Sequence, residues 1–280
     1  MRTTVTTLDE INQDIIDCLL YEFENNPSYA EHEYGRKFAF GMRTALDLLG
    51  PIINEYLDEE WVVTGGNYFS TEAGYMVHTD TGRGESPEQC LQTFVFPLLI
   101  ERNFDLEYFP ENNRFIIMDQ QWKKDAGFFA KGNLNINRPK QGSKKGWKTD
   151  RNEWNSDVTD YSDVIGIKED GYFDPILLKY AKHIPQSTFE GLSVDKHFQW
   201  TPGIPMTFPR DRLHCSTAFP RWGVKRKIGL SIFTSRKLTD ADKHWDWATK
   251  DSPQMVQPPK QKILSEQLEE HNRTWKEKGA

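Results

Sequence analysis

Hydrophobic positions near the start of the chain recur at helical spacing. Ile11, Ile15, Ile16, Leu19, Leu20 and Phe23 share one face of a 3.6-residue period, and Thr7 with Glu10 offers a capping box ahead of them. This predicts an amphipathic helix. A second helix is predicted through RKFAFGMRTALDLLG, stopping near Gly50 and Pro51, with a short third over IINEYLDEE. From Trp61 the texture changes. WVVTGGNYFST, GYMVHTD, CLQTFVFPLLI, NRFIIMDQQW, GIPMTFP and KIGLSIFTS are rich in Val, Ile, Phe, Tyr and Thr and are separated by turn residues, as strands are. The series is interrupted from about Ala130 to Trp200 by a polar stretch with one predicted helix, DPILLKYAKHI. An insertion of that length is a functional lid, an oligomer contact or a loose excursion. A Pro-rich linker, SPQMVQPPK, and a predicted surface helix, KILSEQLEEHNRTWKEK, close the chain.

Helices followed by antiparallel-looking strands predict a mainly β fold with flanking α-helices, a sandwich or barrel with helices packed on one face. The expected organisation is one domain over residues 1–250: N-terminal helices to 60, a β-core over 61–236 and the insertion of 130–200 within it. The linker and last helix occupy 251–280. A length of 280 residues with 37% hydrophobic residues, nine Trp and seventeen Phe suits one aromatic-rich globular core. No apolar run approaches the ~20 residues needed to span a bilayer, and MRTTVTTLDEINQD has no apolar leader region. A cytoplasmic protein without a membrane partner is expected. Cys18, Cys90 and Cys215 are too few and too far apart for a disulfide framework or a CxxC metal pair, and are expected as buried thiols.

A net charge of −7 argues against general nucleic-acid binding. The charge is uneven, however. Residues 123–151 hold nine Lys and Arg against Asp125 and Asp150, so this segment is +7 and the remainder −14. It is either solvated surface or a basic flap suited to an anionic substrate.

Within GYMVHTD, His78 and Asp80 stand two residues apart, which in a strand puts both side chains on one face. A metal needs a third ligand, and His214 in RLHCS, 136 residues downstream, follows another predicted strand. Two His and one carboxylate form the facial set of non-heme Fe(II) oxygenases, with positions left open. A second HxD, His244 to Asp246, lies in a polar segment with only His271 after it, and fits a chance match. After His214 comes WGVKRKIGLSIFTSR, whose alternation puts Ile228, Leu230 and Ile232 on one face and Lys227, Gly229, Ser231 and Phe233 on the other. A cation among small residues would make a narrow pocket for a carboxylate.

HTD, a distal His and a basic residue twelve or thirteen positions later together resemble the Fe(II)/2-oxoglutarate-dependent dioxygenases, over about Trp61 to Arg236. NYFSTEAGYMVHTDTG is similar to prolyl-hydroxylase-like members, with Tyr68, Gly74 and Tyr75 at matching places, and GIPMTFPRDRLH resembles the family's approach to its distal ligand. A phytanoyl-CoA-dioxygenase-like branch stays open. The resemblance implies a double-stranded β-helix (jelly-roll, cupin-like) core and iron held by His78, Asp80 and His214. It also implies 2-oxoglutarate held by a cation on the last strand, with Tyr68 and Ser231 beside it and ascorbate as a possible reductant. Arg226 matches the family's spacing and parity favours Lys227; both stay open. The implied reaction is hydroxylation of an unactivated C–H in a small molecule or peptidyl side chain, and Asp80 leaves no vacancy for a halide. A cupin-like isomerase or hydrolase using Zn or Mn, and a binding protein with a degenerate site, are the alternatives. Neither substrate nor oligomeric state follows from the sequence.

Overall fold

A computed structural model describes residues 4–26, 29–32, 36–39, 42–57, 60–81, 89–122, 164–168, 173–184 and 186–236. The basic segment of 123–151, the second HxD, the Pro-rich linker and the last predicted helix lie outside the described residues. The chain is mainly β, built of two antiparallel sheets. The large sheet takes β1 (Thr6–Thr7), β2 (Tyr29–His32), β3 (Arg36–Ala39), β4 (Trp61–Thr71), β5 (Cys90–Arg102), β9 (Met206–Pro209) and β11 (Val224–Arg236), in the order β1-β9-β5-β11-β4-β3-β2. In the smaller sheet β6 (Arg114–Trp122) pairs with β7 (Val164–Ile165), β8 (Val194–Gln199) and β10 (Arg212–Ser216).

Two helices, α1 (Gln13–Asn25) and α2 (Arg43–Tyr56), cover the outer face of the large sheet. α1 starts later than the Thr7–Glu10 pattern predicts. Asn12 is its N-cap, with the side-chain oxygen accepting from the Ile15 amide at 2.9 Å. α2 differs more from expectation. Residues 36–39 form β3, whose backbone pairs with the edge of β4, and the helix runs through Gly50 and Pro51 without stopping. A proline inside a helix costs about 3 kcal/mol. The stripe of Leu46, Leu48, Leu49 and Ile53 continues across it, each side chain buried, at about 1.5–3 kcal/mol per residue. Burial wins.

Met42, the N-cap of α2, supplies no side-chain bond. Glu22 of α1 does this work instead, one carboxylate oxygen accepting from the Thr44 amide at 2.8 Å and the other from Ala45 at 3.1 Å. A carboxylate at a helix N-terminus satisfies free amides and opposes the helix dipole.

Three apolar clusters follow from the layering. The largest joins α1 and α2 to Trp61, Phe94, Phe96, Ile228, Leu230 and Ile232 of the large sheet. A second covers the outer face of the small sheet, where α3 (Pro175–Tyr180), Phe173, Phe189 and Leu192 pack on Val77, Ile116 and Cys215. The third lies between the sheets, with Val95, Phe115, Ile117, Trp200, Met206 and Phe208. The polar stretch expected as an insertion is therefore partly core: β8 and Trp200 build the sandwich, while only α3 matches the predicted helix. β8 was hidden because VDKHFQ is mostly exposed or half-buried and lacks an apolar alternation. All three cysteines are buried and unbridged. No described helix is long and apolar enough to cross a membrane.

Candidate metal centre

GYMVHTD forms no strand. Between Ala73 and Thr81 the backbone makes one bridge, at His78, where His78 and His214 exchange amide-to-carbonyl bonds of 3.0 and 2.9 Å. The Asp80 amide then donates to the Arg210 carbonyl at 3.0 Å, and the Tyr75 amide to Ser216 Oγ at 2.7 Å. The segment is thus laced to β10 and the turn before it. Gly74 permits this approach, since a Cβ there would lie 2.6 Å from His183 Nε2 and 2.8 Å from the Thr217 carbonyl.

His78, Asp80 and His214 come together with one ligand atom of each within 4.8 Å of the others. Asp80 stands 3.7 Å from His78 Nε2 through Oδ1 and 3.4 Å from His214 Nε2 through Oδ2. Ligand atoms around an ion at about 2.1 Å sit about 3 Å apart at right angles, so a small contraction completes such a site. The imidazoles are already oriented. His78 Nδ1 donates to the Met76 carbonyl at 2.8 Å and His214 Nδ1 to the Arg212 carbonyl at 2.9 Å. A proton held on Nδ1 leaves Nε2 as a lone-pair donor, the tautomer a metal requires.

Burial raises the pKa of Asp80, but the imidazoles of His214 and then His78, when protonated, and the Thr93 hydroxyl outweigh this and bring it down to about 2. Thr93 donates to Oδ2 at 2.8 Å. The Asp80 carbonyl accepts from Arg210 through Nε at 3.1 Å and Nη2 at 2.8 Å. Arg210 is buried, and its Nη1 also donates to Thr64 Oγ1, the Thr234 carbonyl and Ser235 Oγ. It therefore ties the Asp80 backbone to β4 and β11. Phe115 and Phe208 flank the His214 ring at 5.2 and 4.6 Å and form an apolar wall beside it.

The two cations separate cleanly. Arg226 is more than a third exposed and bonds Glu101 through Nε at 2.8 Å on the surface. Lys227 is 2% exposed, on the face of β11 that looks between the sheets, with Nζ 4.1 Å from the Phe219 ring centre and 4.9 Å from that of Trp200. No ion pair or hydrogen bond reaches it among the described residues. Burial holds its pKa well below the ordinary lysine range. Ser231 shares its face, half-buried and opposite Asn67 and Val95. The slot expected above Gly229 is filled, because a Cβ there would meet Phe69 at 2.7 Å and Trp200 at 2.9 Å.

Tyr68 does not join the centre. It pairs with Leu230, whereas Asn67 and Phe69 pair with Ser231 and Gly229, so parity turns Tyr68 to the helix side. There it is fully buried, with its hydroxyl donating to Glu22. Tyr75 does approach, its ring 4.5 Å edge-on to His78. Sequence patterns did not single out Arg210, Thr93, Asn113 or Phe219; an arginine four residues before His214 in an apolar approach was the one usable signal.

No protein-family model matches the chain, and no curated protein matches it by sequence. Solved structures to which it is similar include HygX from Streptomyces hygroscopicus with nickel and 2-oxoglutarate bound, at 10% identity over 84% of this chain and 83% of that one, TM-score 0.42. A Pseudomonas putida prolyl-4-hydroxylase is similar at 10% identity over 84% of this chain and 93% of that one, TM-score 0.40. A third is the non-heme alpha ketoglutarate dependent epimerase SnoN from nogalamycin biosynthesis, at 9% identity over 91% and 89%, TM-score 0.44.

Proposed function

We propose that the protein is an Fe(II)- and 2-oxoglutarate-dependent oxygenase on a double-stranded β-helix (jelly-roll, cupin-like) core, hydroxylating an unactivated C–H of a small molecule or peptidyl side chain. The supporting observation is one arrangement. Two imidazoles with Nδ1 fixed by carbonyls turn Nε2 toward one carboxylate, and a buried lysine with no anion beside it among the described residues faces the same inter-sheet space. A borderline ion with open positions fits this donor set, whereas a closed structural site would offer four protein ligands.

His78 and His214 would hold the iron through Nε2, and Asp80 would take one position and offset its charge. Thr93 keeps the other carboxylate oxygen oriented, and Arg210 fixes the backbone that carries it. Bound there, Fe(II) with 2-oxoglutarate and oxygen supplies an oxidant able to functionalise a C–H, one oxygen atom going to substrate and the other to succinate as carbon dioxide leaves. Lys227 would pair with the far carboxylate of 2-oxoglutarate, a charge-assisted bond strengthened by its dry surroundings. Arg226 is already paired at the surface and takes no part. Phe115 and Phe208 exclude water beside His214, which protects a reactive centre from side reactions.

Purified protein given Fe(II), ascorbate and 2-oxoglutarate should release succinate, and His78→Ala should abolish both the release and anaerobic Fe(II) binding. Metal binding without any turnover or binding of 2-oxoglutarate would favour a cupin-like isomerase or hydrolase instead.

A further inference from the structure

Lys227 is not the only buried donor left unanswered. Asn113 is fully buried, yet neither atom of its carboxamide has a hydrogen-bond partner among the described residues, and Trp200 Nε1 is equally buried and unpartnered. Buried polar groups are nearly always satisfied, so orphans gathered in one place point to a missing ligand.

The topology brings these groups together. Arg114 pairs with Gln199, and the Trp200 amide donates to the Asn113 carbonyl at 2.8 Å, so Asn113 and Trp200 form the next opposed pair of β6 and β8. Strand parity puts Asn113 on the face of Phe115 and Ile117, which look between the sheets. Thr217 Oγ1 accepts from the Arg114 amide at 2.9 Å and donates to the Asn112 carbonyl at 2.8 Å, drawing the segment that carries Phe219 against residues 112–114. Asn113 thus lies between the two segments whose rings cover the Lys227 ammonium. The edge of Trp200 that leans over Gly229 carries Cη2 and Cζ2, with Nε1 two bonds from Cζ2.

Resting on the proposed use of 2-oxoglutarate, we infer that Asn113 and Trp200 complete, with Lys227, a three-donor cradle for the far carboxylate of the co-substrate. A carboxylate accepts and never donates, which matches an ammonium, an indole N–H and an amide NH₂. The carboxamide also offers an acceptor to the ammonium, so it serves both members of the pair that forms. The cradle is neutral apart from one charge, and its directionality comes from the two uncharged donors.

The test uses the full chain loaded with Ni(II), titrated calorimetrically with 2-oxoglutarate and with 2-oxobutyrate, which has the same chelating head but no far carboxylate. Wild type should bind 2-oxoglutarate more tightly. Asn113→Leu should weaken 2-oxoglutarate about ten-fold and leave 2-oxobutyrate unchanged. Because it removes an unpaired buried amide, it should not lower the ligand-free melting midpoint. Trp200→Phe, which keeps a ring but removes the donor, should show the same selectivity between the two acids. If both variants bind 2-oxoglutarate as wild type does, or lose both acids equally, the cradle is refuted while the co-substrate assignment stands. A wild type that binds both acids with equal affinity also refutes it. A wild type that binds Ni(II) but neither acid overturns the co-substrate assignment and the cradle with it.

Discussion

The two faces of β4 and β11 differ sharply in chemistry, although alternate residues of the same strands build both. On the helix side, Ile228, Leu230, Ile232 and Tyr68 pack against α1 and α2, and the one conspicuous polar group, the Tyr68 hydroxyl, is answered by Glu22. On the inter-sheet side stand Lys227, Gly229 and Ser231, with buried donors that no partner among the described residues answers. One face lowers the free energy of folding. The other carries a cost in stability that the proposed ligand would offset, as binding sites commonly do.

That contrast predicts which substitutions uncouple folding from binding. The largest effect belongs to the proposed metal ligands: His214→Ala should weaken Fe(II) binding by more than about a hundred-fold, beyond what changes to the residues around them cause. Anaerobic titration measures this, and the melting midpoint of the metal-free protein should change far less. Leu230→Ala should do the reverse, destabilising by about 2–5 kcal/mol through a buried cavity. Chemical denaturation reads the loss, while metal affinity of the folded protein stays the same.

Tyr68→Phe sharpens the comparison further. Removing a bond to a charged acceptor should cost about 1.5–3 kcal/mol of stability. Calorimetry should find 2-oxoglutarate affinity unaltered, in contrast to a tyrosine that touched the co-substrate.

Lys227 gives the pH signature. Burial depresses its pKa, so between that value and about 10.4 the folded protein holds fewer protons than the unfolded chain. Ligand-free stability must therefore rise with pH across the window. Lys227→Met should remove the slope and raise stability at neutral pH by on the order of 1 kcal/mol, while 2-oxoglutarate binding is lost. Thermal unfolding from neutral to alkaline pH measures it. The smallest effect is expected of Arg226→Ala, which breaks a surface pair with Glu101 and should leave the melting midpoint and co-substrate affinity unchanged.

Much of this was legible in the chain. WVVTGGNYFST, CLQTFVFPLLI and NRFIIMDQQW became β4, β5 and β6 because dense β-branched and aromatic residues bounded by turns have few other folds. The alternation along β11 assigned Lys227 and Leu230 to opposite faces correctly. The misses share a cause. β3, β8 and the continuous α2 each depend on a partner far along the chain: β4 for β3, β6 for β8, and the sheet beneath α2 for a helix that local residues would end at Pro51.

The sequence by itself determined which residue types could hold a metal, that His78 and Asp80 lie two residues apart, and that Lys227 and Leu230 face opposite sides of the last strand. These are consequences of chain proximity, of two-residue periodicity along β11 and of side-chain chemistry. Only the tertiary structure decided that His214 meets them, that Tyr68 turns to the helices, that Arg226 is spent on Glu101, and that Trp200 covers Lys227 while Asn113 opposes Trp200. Each of these is a contact between segments tens of residues apart, fixed by strand register and layer packing, which no local pattern encodes.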